Sequence, residues 1–174
     1  MIADEELHEN AYELLRNADT LIFGRITYQF MKDAWPSIVK NPAGNRPLDG
    51  FAGLIDNIKE VVFSRTLKKV EWKNARLATK SLQEEVTGLE RSGESKNKYI
   101  AVGSPGFIVL LTNMGLIDEY RLNIHPVLPV SGLPFFKNIS NRGRSQTFKN
   151  RDTGPGCGDT FLYAGKRRGT TLKE

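Results

Sequence analysis

Apolar residues along the chain fall into two alternating patterns, one with helical spacing and one of short continuous runs. Leu7, Ala11, Leu14, Leu15 and Ala18 recur at helical spacing and predict an amphipathic helix over residues 4–18. Asp4 is its expected N-cap, with Glu5 and Glu6 in the first turn, where negative charge is favoured. Thr20-Leu21-Ile22-Phe23 then forms a short apolar run stopped by Gly24, which reads as a buried strand. A helix is expected over 27–34, limited by Pro36, then a turn-rich loop over 41–47 and a weaker helix over 49–58. Val61-Val62-Phe63 is the second buried run and ends at Ser64. Residues 65–80 alternate irregularly, with Val70, Trp72 and Leu77 as the expected inward positions. Ser81-Leu82-Gln83-Glu84 has the form of a capping box and opens a helix to about residue 91. Tyr99-Ile100-Ala101-Val102 is the third buried run, ending at Gly103, and a helix over 106–114 closes at Gly115. Residues 119–124 alternate with period two, and further strand signals lie at 145–149 and 160–164.

Three buried strands, each followed by a helix or a loop, indicate an α/β fold with a largely parallel sheet. The alternating strands at the end suggest an antiparallel edge. A length of 174 residues, with no repeat or linker, fits a single domain over 1–174 with a basic tail at about 166–174. Hydrophobic residues at 39% and charged residues at 26% exclude wholesale disorder and a coiled coil. The longest aliphatic or aromatic run, Phe107–Leu111, is too short to cross a bilayer. The acidic N-terminus lacks a signal pattern, and the lone Cys157 excludes an intrachain disulfide and a multi-Cys zinc site. No metal site is expected, and the simplest compartment is the cytoplasm. Net charge is +5, and residues 141–174 hold the whole excess, 8 basic against 3 acidic. There it mixes with Gly, Thr and Asn rather than with aromatics, so a solvated tail is preferred to a nucleic-acid surface.

Chemistry gathers where the three buried strands end: Gly24-Arg25-Ile26-Thr27, Ser64-Arg65-Thr66 and Gly103-Ser104-Pro105-Gly106. Ligands of open α/β sheets bind outside the carboxyl ends of the strands, so the three clusters are expected to share one edge. Gly103 and Gly106 let backbone N–H groups approach a phosphate, and the following helix offers its positive N-terminus. Thr27, Ser64 and Ser104 supply hydroxyls, and Arg25 and Arg65 supply guanidinium forks. The competing reading is ordinary strand-to-helix glycine punctuation with solvated arginines.

The segments LIFGRITYQFMKDAWP, VVFSRTLKKVEWKNARL and YIAVGSPGFIVLLTNMGLIDEYRLNIHPVLPVSGLPFF resemble the dihydrofolate-reductase-like family that includes the riboflavin-biosynthesis reductase domain. The resemblance runs from about residue 4 to 165. It implies a three-layer α/β/α fold around a mixed, mostly parallel sheet, NADPH as cofactor, and hydride transfer to a heterocyclic substrate. The nearest named activity is reduction of 5-amino-6-(5-phosphoribosylamino)uracil. By the same resemblance Gly24, Arg25 and Thr27 face the NADPH phosphates, and Ser64 and Arg65 lie near the adenosine 2′-phosphate. Gly103, Ser104 and Gly106 form the turn under the pyrophosphate, where Ser104 replaces a usual second glycine. A homodimer built through strands such as 119–125 and 160–164 is also implied.

Two departures accompany the resemblance. The chain opens with the helix that normally follows a first, central strand, so that strand is expected to be lacking. Leu128-Pro129-Val130-Ser131-Gly132 replaces a glycine-rich turn after His-Pro-Val, and Pro129 has no N–H to offer. Tyr28, Met31 and Trp35 share a helical stripe; such stripes are usually core, but the family turns this helix toward its substrate. His125 reads as a structural histidine and Cys157 as an incidental thiol. No catalytic acid is assigned. Against an NADPH-dependent reductase stands a non-catalytic nucleotide-binding or oligomeric remnant of the family.

Overall fold

Residues Ala18–Gly24 form β1, one of the two interior strands of a four-stranded parallel sheet. In this computed structural model the described residues are 5–92, 99–124, 130–132, 134, 136–140, 145–152 and 158–164. β1 is flanked by β2 (Lys59–Phe63) and β4 (Tyr99–Val102), and β3 (Ala75–Leu77) pairs with the far side of β2. All three pairings are parallel, with Leu21 opposite Glu60 on one side and Ala101 on the other. Helices α1 (Glu5–Arg16), α2 (Arg25–Lys40), α3 (Arg46–Asn57), α4 (Leu82–Arg91) and α5 (Pro105–Asn113) complete the described helical elements.

The chain divides into two compact units, Ala3–Phe107 and Ile108–Glu174, with the boundary inside α5. In the first, Leu21, Phe23 and Val62 on one sheet face join Leu15 of α1, Tyr28 of α2, Ile55 of α3 and Trp72 in one buried cluster. Ile22 and Val61 point to the opposite face and are also buried. Burial on both faces is the reason these strands read as continuous apolar runs rather than alternating ones.

Local sequence rules account for most helix ends. Ser81 and Glu84 form the expected capping box on α4. The side chain of Asn45 accepts from the Leu48 N–H at the start of α3, and Pro47 sits in its first turn, where a missing N–H costs nothing. Gly115, at φ 64°, ends α5: its N–H reaches the Thr112 carbonyl and the Leu116 N–H reaches Leu111, a Schellman closure.

Two helical expectations are corrected. α2 does not stop before Pro36 but continues to Lys40. Proline removes one backbone bond, while the apolar face that includes Met31 and Trp35 still packs on the core, and the Ser37 hydroxyl donates to the Ala34 carbonyl just before the proline. α3 starts at Arg46, inside the segment read as loop. The irregular stretch 65–80 contains β3, whose three residues are too short for any periodicity.

The second unit carries β5 (Glu119–Ile124), β6 (Ser145–Asp152) and β7 (Gly158–Ala164) in an antiparallel sheet ordered β5-β7-β6. These strands had been expected at the edge of one mixed sheet. Among the described residues they form a sheet of their own, because β4 pairs only with β1 and β5 only with β7. Within this unit Thr112 and Tyr120 share a hydroxyl hydrogen bond of 2.7 Å, and Tyr120 meets Phe136 edge-on. His125, Pro129, Cys157 and the tail at 166–174 lie outside the described residues. Among the described residues no helix is long and apolar enough to cross a membrane.

Candidate functional site

The parallel sheet brings the three strand-end clusters to one edge, as the apolar runs implied. Gly24 pairs with Phe63, and Ile22 with Val102, so the chain leaves β1, β2 and β4 at similar height. The clusters on β1 and β4 are joined directly. Ser104 is 5% exposed; its hydroxyl accepts the Gly24 N–H at 2.9 Å and donates to Thr27 Oγ1 at 2.8 Å. Thr27 accepts that bond and keeps its own proton to donate. Both hydrogen-bonding directions of the Ser104 hydroxyl are thus used within the protein. Ser104 ties the two turns together from below and leaves Gly103 and Gly106 exposed above.

Two helices begin at this edge, α2 after Gly24 and α5 after Ser104. Gly24 gives α2 no side-chain cap, and neither helix has an acidic residue in its first turn. Helices α3 and α4 contrast with them. Both have side-chain caps, and their first turns hold Asp49, Glu84 and Glu85. The first-turn N–H groups of α2 thus remain available to an anion, with the helix dipole favouring one.

The β2 cluster is arranged differently. Ser64 turns its hydroxyl onto its own loop and accepts from the Thr66 and Leu67 N–H groups. Arg65 is exposed beside it. Arg25 is exposed at the first position of α2, where Nη1 donates to Gln29 Oε1 at 2.9 Å. Both arginines stand at the edge, but no contact joins them to the Ser104–Thr27 pair among the bonds described.

Tyr28, Met31 and Trp35 pack on the core. Tyr28 is 2% exposed, its hydroxyl accepts the Glu71 and Trp72 N–H groups, and it belongs to the core cluster. Trp35 donates to Met31 Sδ and stacks at a tilt on Phe51. Met31 and Trp35 are partly buried against the same core.

The sequence reading missed Phe107. A Cβ on Gly24 would lie 2.9 Å from its ring, and the ring meets Phe63 with centroids 5.2 Å apart. Gly24 is thus needed for close approach, at an ordinary φ of −83°. The signal was hidden because Phe107 opens a run, FIVLL, that reads simply as apolar helix core.

Solved structures similar to this chain set its fold in context. A provisionally assigned riboflavin biosynthesis protein of Shewanella sp. PV-4 aligns with a TM-score of 0.67 at 16% identity, over 88% of this chain and 78% of that one. RibD of Acinetobacter baumannii aligns with a TM-score of 0.60 at 12% identity, over 95% of this chain and 52% of RibD. A pyrimidine reductase-like protein of Corynebacterium diphtheriae gives 0.54 at 13%, over 88% and 79%. The chain has the riboflavin-reductase-like fold. Dihydrofolate-reductase-like architecture, expected from the sequence motifs, is thereby present. At these identities the likeness extends to fold and no further. No protein-family model matches the chain. An uncharacterized protein of Bacillus subtilis (strain 168), YyaP, is 28% identical over 130 residues, 75% of this chain. The match spans 65% of that curated relative's length, and the chain spans about half of RibD.

Proposed function

We propose that this chain is an NADPH-dependent reductase that transfers hydride to a heterocyclic substrate, of which a ribosylaminopyrimidine is the nearest known type. The observation carrying the proposal is the linked edge of Gly24, Thr27 and Ser104 beneath the uncapped N-terminus of α2. Its chemistry fits a polyanionic cofactor: hydroxyl and N–H donors, an exposed Arg25, exposed glycines and no first-turn carboxylate. Gly24, Arg25 and Thr27 would hold the phosphates on one side, with Gly103 and Gly106 on the other and Arg65 near the 2′-phosphate. Bound NADPH would supply the hydride; the residues of the edge bind and orient it. Likeness in fold to RibD and the pyrimidine reductase-like protein supports the reading without fixing the substrate.

One observation favours a second reading, binding without chemistry. The three edge clusters contain hydroxyls, arginines and glycines but no carboxylate or imidazole to serve as an acid. Fluorescence titration and a turnover assay separate the two. The reductase reading expects NADPH to bind more tightly than NADH and to be consumed with a pyrimidine substrate; binding without consumption favours the second. Arg25→Ala is expected to weaken NADPH by about ten- to a hundredfold, the worth of a charge-assisted contact, and NADH much less. Equal affinities for the two cofactors in the unaltered protein would remove both arginines from the 2′-phosphate role.

A further inference from the structure

Among the described residues of the unit Ala3–Phe107, the two most exposed of the large hydrophobic side chains are Ile26 at 74% and Phe30 at 70%. They are four residues apart on α2 and so adjoin on its surface. Their position relative to the edge follows from helix geometry. Phe30 is three residues beyond Thr27, which places both on the same flank, and Thr27 faces the Ser104 hydroxyl. Phe30 therefore lies one turn, about 5 Å along the axis, from the hydroxyl pair at the anion-binding end of the helix.

An exposed phenylalanine forfeits the burial that ordinarily stabilises it, so its surroundings indicate what covers it. Gln29 and Asp33 follow Ile26 and Phe30 at a spacing of three residues, and Arg25 is hydrogen-bonded to Gln29. The Ile26–Phe30 pair offers an area on the order of one flat ring. It is far short of the roughly 800 Å² per partner of a standard protein interface. A phosphate site and an apolar platform one turn apart, bordered by an exposed guanidinium, complement a molecule that joins phosphates to a planar heteroaromatic ring.

We propose that Phe30, with Ile26 beside it, is the platform on which a ring of the dinucleotide stacks while its phosphates occupy the N-terminal edge of α2. The inference rests on the nucleotide reading given above and adds to it the residues that hold the ring. Base-on-aromatic stacking contributes enough that its loss is read as about a tenfold change in affinity.

The test uses the full chain and two probes, NADPH and inorganic pyrophosphate, in parallel titrations. Phe30→Ala, at an exposed position, is expected to weaken NADPH about tenfold while leaving pyrophosphate unchanged, and Phe30→Trp is expected to retain NADPH affinity. Unaltered NADPH affinity in Phe30→Ala, or an equal loss for pyrophosphate, would overturn the platform. So would a fall in sedimentation coefficient with NADPH affinity unchanged, which would assign the patch to a second copy of the chain. An unaltered protein that binds pyrophosphate but not NADPH would instead overturn the nucleotide reading itself. The two failures are thus distinguishable.

Discussion

Among the described residues, Glu60 has an environment at odds with its chemistry. It lies in β2, on the same sheet face as Leu21 and Val62, and is 1% exposed. Neither carboxylate oxygen has a hydrogen-bond partner. Burial, with a smaller contribution from the nearby Asp56 carboxylate, pushes its pKa up to about 8. Asp56 itself is held ionised, its pKa lowered by the Lys73 ammonium and the Trp72 indole N–H. An acid whose pKa rises on folding holds its proton in the folded chain at pH values where the unfolded chain has lost it. Its stabilising effect is complete below about 4.5, the unfolded value, and is lost as pH rises through about 8. Urea unfolding of the unaltered protein is therefore expected to show falling stability from pH 6 to pH 9, by a few kcal/mol at most. Glu60→Gln should flatten that slope; an unchanged slope would exonerate Glu60. Gly103 makes a second prediction at this scale. A Cβ there would contact only the Phe23 ring, at 3.4 Å, so Gly103→Val should fold. Its side chain would project where the pyrophosphate is proposed to lie, and dinucleotide binding should be abolished. Full affinity in the folded variant would place the phosphates elsewhere.

Among the elements, α4 shows how much a local signal can specify. Its capping box was legible in four letters, and the structure adds that Glu85, one residue further on, is buried and accepts a two-pronged bond from Arg76 of β3. The Arg76 guanidinium first, and then the N–H groups of Thr79 and Lys80 that also donate to it, hold the Glu85 carboxyl below the usual range. Ser81→Ala is expected to cost about 1 kcal/mol by chemical denaturation, with the fold unchanged. A cost near zero would mean that the Glu85 anchor alone fixes the start of α4. The site elements α2 and α5 follow the opposite rule. Neither has an acid in its first turn, α2 has no side-chain cap, and the Ser104 hydroxyl just before α5 bridges to the Gly24 N–H and Thr27.

At the scale of the whole molecule the strand edges bear on assembly. Among the described residues the parallel sheet ends on β4 and the antiparallel sheet on β5, and on β5 Ile124 is 55% exposed while Leu122 is partly covered. An exposed strand edge with apolar side chains tends to acquire a partner. We propose a homodimer that buries the Leu122 and Ile124 face. Sedimentation of the 174-residue chain at micromolar concentration is expected to give a dimer, and Ile124→Lys is expected to shift it toward monomer. A stable monomer that unfolds cooperatively would refute this arrangement.

By itself the sequence determined the parallel α/β class, the positions of β1, β2, β4 and β5, the ends of α4 and α5, and the three clusters that share an edge. Those features depend on residues near one another in the chain: apolar runs flanked by glycine, a serine three residues before a glutamate, a glycine that accepts positive φ. Only the tertiary structure decided that α2 runs through Pro36, that Tyr28 belongs to the core, that Phe107 requires Gly24, and that Ser104 faces inward to join two turns. Each of these depends on a partner distant in sequence; Ser104 and Gly24 are 80 residues apart. Burial energy from such partners outweighs the local cost of a proline or an uncapped helix, and local sequence carries no record of which partner will arrive.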